Sequence, residues 1–150
     1  MRGEIEKALA FGFAAAAIIP SRELVVVPEY RRFCAQNLCG CYDRVPACPP
    51  QSGTVEEMTA RFRKYENALI LQTITPDTED AARAKARHNQ MTDALLEGFT
   101  ADHLVMSAGP WRDQSCMSAY CVDAQKMADT AGMLCWAHDG MNRFFSLVLF

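Results

Sequence analysis

The chain has 150 residues, of which 50% are hydrophobic and 22% are charged, and its formal net charge is −3. This length predicts one domain, residues 1–150, with a core of its own, and the composition is that of a folded protein. The small acidic excess argues against a nucleic-acid partner, because no basic surplus is available to neutralise phosphates. The longest apolar stretch, 8–19, is too short to cross a bilayer, so no membrane partner is expected.

The N-terminal region predicts a helix, a strand and a second helix. Gly12 indicates the end of a helix over about 4–11, and the apolar residues 13–19 follow as a strand. Pro28 is favoured in the first turn of a helix, and we expect that helix to extend to about residue 36.

The first residues also bear on the compartment of the protein. Glu4 and Glu6 lie where a secretory signal peptide carries a positive region, so no such signal is predicted. We therefore expect a cytoplasmic protein in a reducing environment, where disulfides rarely persist. The chain has seven cysteines, an odd number that cannot be paired completely within the chain.

A segment with four closely spaced cysteines is the most informative part of the sequence. The pattern is C-x4-C-x-C-x6-C-P-P, formed by Cys34, Cys39, Cys41 and Cys48. The Cys-rich segment spans about 34–53, and its glycines and prolines predict that 37–53 is an irregular loop. Thiols at this density form disulfides, perform redox chemistry or bind metal, and we favour metal. All-sulfur ligands are typical of an iron–sulfur cluster or of zinc rather than of magnesium or calcium, and both remain compatible with the pattern.

Helix and strand signals alternate in the rest of the chain. Thr54 and Glu57 form a capping box that begins a helix. We then expect, in order, a strand over 68–74, a helix over 78–97, a strand over 104–107, a helix over 117–131 and a hairpin of strands 133–137 and 144–150. This order predicts an α/β fold, with a mixed β-sheet of about five strands covered by helices.

The cysteines and histidines outside this segment have different expected roles. Cys116 lies at a predicted loop-to-helix junction and is the substitute fourth ligand if Cys41 does not bind metal. Cys121 and Cys135 lie among apolar neighbours and are expected in the core. His88 falls on the apolar side of a predicted helix, where a lone histidine is usually a hydrogen-bonded core residue.

Several motifs together resemble a known family. Cys34-x4-Cys39-Gly40-x-Tyr42 followed by Cys48-Pro49-Pro50 is similar to the C-x4-C-G-x-Y and C-P-P signature of a prokaryotic family of uncharacterised, predicted metal-binding proteins. Further similar segments are ALILQT at 68–73, ARHNQM at 86–91 and FFSLVLF at 144–150. The resemblance implies a metal-binding protein and specifies no reaction.

This chain departs from the family pattern at two places. Many members carry Asn where this chain has Cys41, which makes Cys41 either an additional ligand or a bystander. Members also carry a second cysteine-rich segment, where this chain has only residues 109–115 before Cys116. A second metal centre is therefore not expected here.

Three functions are compatible with these residues. The first is a metal-binding protein with a cysteine-ligated iron–sulfur or zinc centre, in electron transfer, redox sensing or metal handling, with a redox protein as partner. The second is a thiol-dependent enzyme that uses a reactive cysteine of the 39–41 pair. The third is a ligand-binding domain with a purely structural zinc site. Asp43 is the only carboxylate close to the cysteines, so no catalytic residue or reaction is predicted, and a binding function ranks above catalysis. The sequence also predicts no oligomeric state.

Overall fold

The computed structural model describes residues 2–37 and 40–150. In this part of the chain the strands are β1 (Ala15–Pro20), β2 (Asn67–Pro76), β3 (Leu104–Met106) and β4 (Met141–Leu149). They form one antiparallel sheet in the order β1-β2-β4-β3. The helices are α1 (Arg2–Ala10), α2 (Arg31–Ala35), α3 (Val55–Arg63), α4 (Ala81–Leu96) and α5 (Ala124–Ala131).

The two central strands bury apolar side chains on both faces of the sheet. Ile70 of β2 lies opposite Leu147 of β4, and both belong to a cluster that includes residues of α3 and α5. Leu71 and Val148 belong to a second cluster, which includes residues of α1 and α4. Complete burial of such a side chain stabilises a fold by roughly 1.5–3 kcal/mol. The sheet therefore lies between two layers of helix and loop, each with its own apolar core.

Short sequence patterns determine where α3 begins and where α5 ends. The Glu57 N–H donates to Thr54 Oγ1 at 3.1 Å and the Thr54 N–H donates to Glu57 Oε1 at 3.0 Å, which is the capping box expected from the sequence. Gly132 has a φ of +72° at the end of α5, in the left-handed region that glycine adopts without strain.

The α/β fold class is confirmed, with differences in the sheet. It has four strands in the described residues rather than about five, and its neighbouring strands are antiparallel rather than mixed. The final hairpin is wrong, because residues 133–137 form no strand. β2 pairs with 141–149 on one side of β4, and β3 pairs with 147–149 on the other side. Residues 133–137 do not continue that second edge, and the Leu134 carbonyl instead accepts a hydrogen bond from Gln72 Nε2 at 2.7 Å.

The helix expected over 117–131 begins only at Ala124. Cys121 has a φ of +58°, and the Val122 N–H donates to Met117 O at 3.1 Å, so the residues before α5 form a turn. The Asp123 side chain then accepts a hydrogen bond from the Lys126 N–H at 3.0 Å and caps α5. Within the described ranges, no helix has the length and apolar character needed to span a membrane.

Candidate functional site

Arg31 fixes the start of the cysteine-rich segment to two distant parts of the chain. Its Nη1 donates to Gly53 O at 2.7 Å, and its Nη2 donates to Ala119 O at 2.9 Å. Hydrogen bonds from a charged donor are stronger than those between neutral groups. Because Arg31 lies one turn before Cys34, these bonds hold α2 against both the end of the cysteine-rich loop and the turn that follows Cys116.

The described part of the loop, 40–53, folds back on itself. The Asp43 N–H donates to Pro49 O at 2.8 Å, and the Ser52 N–H donates to Cys48 O at 3.0 Å. Asp43 and Gly40 have φ values of +58° and +76°, which reverse the chain direction here. This arrangement leaves Cys48 buried, with 5% of its surface exposed.

An open cavity of about 490 Å³ lies between this loop and the C-terminal half of the chain. Four cysteines contribute to its lining: Cys34, Cys48, Cys116 and Cys135. Cys34 Sγ lies 4.0 Å from the carbonyl oxygen of Ser118, in the turn directly after Cys116. The structure thus brings two cysteines of the sequence motif to the same cavity as the substitute ligand Cys116.

The other two expected ligands of the motif are Cys41, which the structure describes, and Cys39, which it does not. Cys41 is half-buried and is not among the residues that line the cavity. Cys39 lies outside the described residues. In the ranges 2–37 and 40–150, no three His, Cys, Asp or Glu side chains are grouped so that they hold a metal ion. A ligand set that includes Cys39 extends beyond those ranges.

Cys121 and Cys135 differ in their surroundings. Cys121 is fully buried, as expected, and burial raises the pKa of its thiol. Cys135 is half-buried in the irregular segment that replaces the expected strand, and it lines the cavity instead of lying wholly in the core. Burial also raises the pKa of the Cys135 thiol, which favours its neutral form.

His88 is a core residue, as the sequence predicts. Its Nδ1 lies 2.7 Å from Thr73 Oγ1 and its Nε2 lies 2.9 Å from Ser146 Oγ, so both ring nitrogens have partners. Burial lowers the pKa of His88 to about 4 and keeps the ring neutral at pH 7. Through these hydrogen bonds His88 links α4 to the two central strands, β2 and β4.

Sequence reasoning missed three other residues of the cavity: Lys85, Trp136 and Arg143. Lys85 is an exposed residue of α4, Trp136 lies in the irregular segment before β4, and Arg143 lies near the start of β4. Their convergence depends on long-range packing. Gly109 and Pro110, adjacent residues of types that favour turns, also line the cavity.

Residues 17–110 match the model of a protein family described as "Predicted metal-binding protein (DUF2284)". The match covers more than half of the chain and contains the complete cysteine motif, whereas Cys116 and Cys135 lie beyond it. No curated protein and no solved structure matches the chain.

Proposed function

Because the chain belongs to the DUF2284 family of predicted metal-binding proteins, we propose that it holds one metal centre through the thiolates of Cys34, Cys39, Cys48 and Cys116. The centre is an iron–sulfur cluster or a zinc ion, since both take four thiolate ligands. A bound cluster would supply one-electron transfer or redox sensing, whereas zinc would stabilise the loop.

The shared cavity is the observation that carries this proposal. Cys34 and Cys48 come from the sequence motif, and they line the same cavity as Cys116, which is distant in sequence. Cys41 lies outside that lining, so the geometry favours Cys116 over Cys41 as the fourth ligand. Soft thiolate donors suit iron–sulfur clusters and zinc.

Metal binding must also move the ligands. The described residues contain no group of three ligands at metal-binding spacing, so Cys34, Cys48 and Cys116 have to approach one another around the metal. The hydrogen bonds of loop 40–53 are mostly local, which lets the loop adjust while the sheet stays in place.

Anaerobic purification, elemental analysis and a visible absorption spectrum test the proposal. Cys34→Ser, Cys48→Ser and Cys116→Ser should each lower the metal content per chain to less than half, because each removes one of four ligands. Cys41→Ser is the matched control and should retain the wild-type content.

Two results would contradict the proposed ligand set. Wild-type protein without iron or zinc would refute metal binding altogether. Loss of metal in Cys41→Ser, with retention in Cys116→Ser, would show that the fourth ligand is Cys41 of the cysteine motif and not Cys116.

A further inference from the structure

The side chains that line the cavity carry a positive charge, at Lys85, that no carboxylate in the lining balances. Among the described lining residues, Lys85 and Arg143 are cationic and none is Asp or Glu, although the chain as a whole is acidic. Arg143 pairs with Asp139, with nitrogen–oxygen distances of 2.6 and 3.2 Å, so its charge is already neutralised. Lys85 takes part in none of the ion pairs of the described residues.

The backbone at Gly109 positions Lys85 along the cavity wall. A Cβ atom at Gly109 would lie 3.1 Å from Lys85 Cδ and 3.5 Å from Lys85 Nζ, so the lysine side chain lies against the Gly109 backbone and would have to shift slightly if this residue had a side chain. Gly109 also has a φ of +66°, which strains other residues. The turn thus provides both the space and the backbone conformation that this placement needs.

The rest of the lining is largely apolar and includes aromatic rings. Met117, Trp136 and Phe144 contribute to it, and 64% of the surface of Trp136 is exposed. A volume of about 490 Å³ lies within the range of small-molecule sites, which combine apolar walls with a few polar groups that orient the ligand. An apolar ligand body would cover the exposed indole.

We propose that this cavity binds a small organic anion with an apolar body, whose charged end pairs with the Lys85 ammonium group. The apolar body lies against Met117, Trp136 and Phe144. This site goes beyond metal binding and shares the cavity with the proposed metal centre. Because a thiolate-bound metal there carries formal negative charge, the anion binds the metal-free protein and competes with the metal. A neutral ligand of the same shape lacks the ion pair and binds more weakly.

Calorimetric titration with octanoate tests the proposal, and octanamide serves as the neutral analogue of the same length. Wild-type protein should bind octanoate about fivefold more tightly than octanamide. Lys85→Gln should weaken octanoate binding about fivefold and change octanamide binding less than twofold, because an ion pair at an exposed lysine contributes up to about 1 kcal/mol. Lys126→Gln, an exposed lysine of α5 outside the lining, is the control and should match wild type.

A cavity-filling variant tests whether the ligand binds inside this cavity. Ala124 is half-buried at the start of α5 and lines the cavity, so Ala124→Phe should abolish binding of both ligands while the circular dichroism spectrum stays native. Failure of wild-type protein to bind octanoate saturably, equal affinity in Lys85→Gln, or unchanged binding in a folded Ala124→Phe variant would overturn the proposal.

The titrations are made on anaerobically purified protein before and after chelation, with metal content measured on the same samples. Absence of metal alongside Lys85-dependent octanoate binding would refute the metal centre and retain the anion site. Metal bound in the purified protein, with no octanoate binding after chelation, would retain the metal centre and refute the anion site.

Discussion

Arg31 Nη2 donates a hydrogen bond to the carbonyl oxygen of Ala119 at 2.9 Å, across a sequence separation of 88 residues. The same guanidinium reaches Gly53 O at 2.7 Å. Through these two bonds, one side chain joins the helix that carries Cys34, the end of the cysteine-rich loop and the turn after Cys116. The relative placement of the proposed ligands therefore depends on Arg31.

Arg31→Lys should destabilise the fold and loosen the loop. A lysine keeps the charge but lacks the planar fork that reaches two carbonyls at once, so the free energy of unfolding should fall by about 1–3 kcal/mol. Denaturant unfolding measures that loss, and hydrogen exchange should show faster exchange over 40–53. Arg32→Lys, at an exposed neighbouring position, is the control and should change stability by less than about 0.5 kcal/mol. Equal stability of the two variants would show that the carbonyl contacts of Arg31 do not hold the loop.

The sequence predicts local features of this fold much better than the site. Two features were predicted correctly because they depend on residues close in sequence: the capping box at Thr54 and Glu57 and the apolar run of β2. The hairpin at 133–137 was wrong because this segment follows an irregular path, in which the Leu134 carbonyl accepts a hydrogen bond from the side chain of Gln72, a residue distant in sequence.

The candidate site shows the same limit. The spacing of the motif marked Cys34 and Cys48, with Cys39 and Cys41, as one set of ligands, and the substitute role of Cys116 rested on its position at a predicted loop-to-helix junction. No local signal indicated that Cys135 or Lys85 would face the same cavity, because their placement follows from how α4 and the segment before β4 pack against the sheet.

Metal removal should loosen residues 40–53 without unfolding the sheet. The two apolar clusters on the faces of the sheet contain no motif cysteine among their buried residues, so most of the core does not depend on the metal. Hydrogen exchange before and after chelation should show faster exchange over 40–53 and unchanged protection over β2 and β4. Loss of protection in β2 and β4 would instead make the metal part of the core fold.

His88 should make stability depend on pH. Burial lowers its pKa in the folded protein to about 4, whereas the ordinary value is about 6.5, so the unfolded chain binds more protons between these values. Stability is therefore complete above pH 6.5 and falls as the pH falls towards 4, by about 3 kcal/mol for this one group. Thr73 and Ser146, its hydrogen-bond partners, are not ionisable groups that could compensate.

Urea unfolding at pH 7 and pH 4.5 measures this dependence. His88→Gln should lower stability at pH 7 but show a smaller loss between the two pH values than wild type. His138→Gln, at an exposed position, is the control and should retain the wild-type loss. If His88→Gln and wild type lose the same stability on acidification, the dependence arises from other groups.

Asp43→Asn should leave metal content and loop structure nearly unchanged. Asp43 is exposed, has a φ of +58° and donates its backbone N–H to Pro49 O at 2.8 Å, and asparagine tolerates the left-handed conformation and retains that N–H. Asp43→Val is the matched contrast, because a β-branched residue is strained there, and it should destabilise the fold by about 1–2 kcal/mol. Elemental analysis and hydrogen exchange over 40–53 compare the two. Loss of metal in Asp43→Asn with the loop intact would assign the carboxylate itself to the centre and reopen the choice between a binding protein and an enzyme.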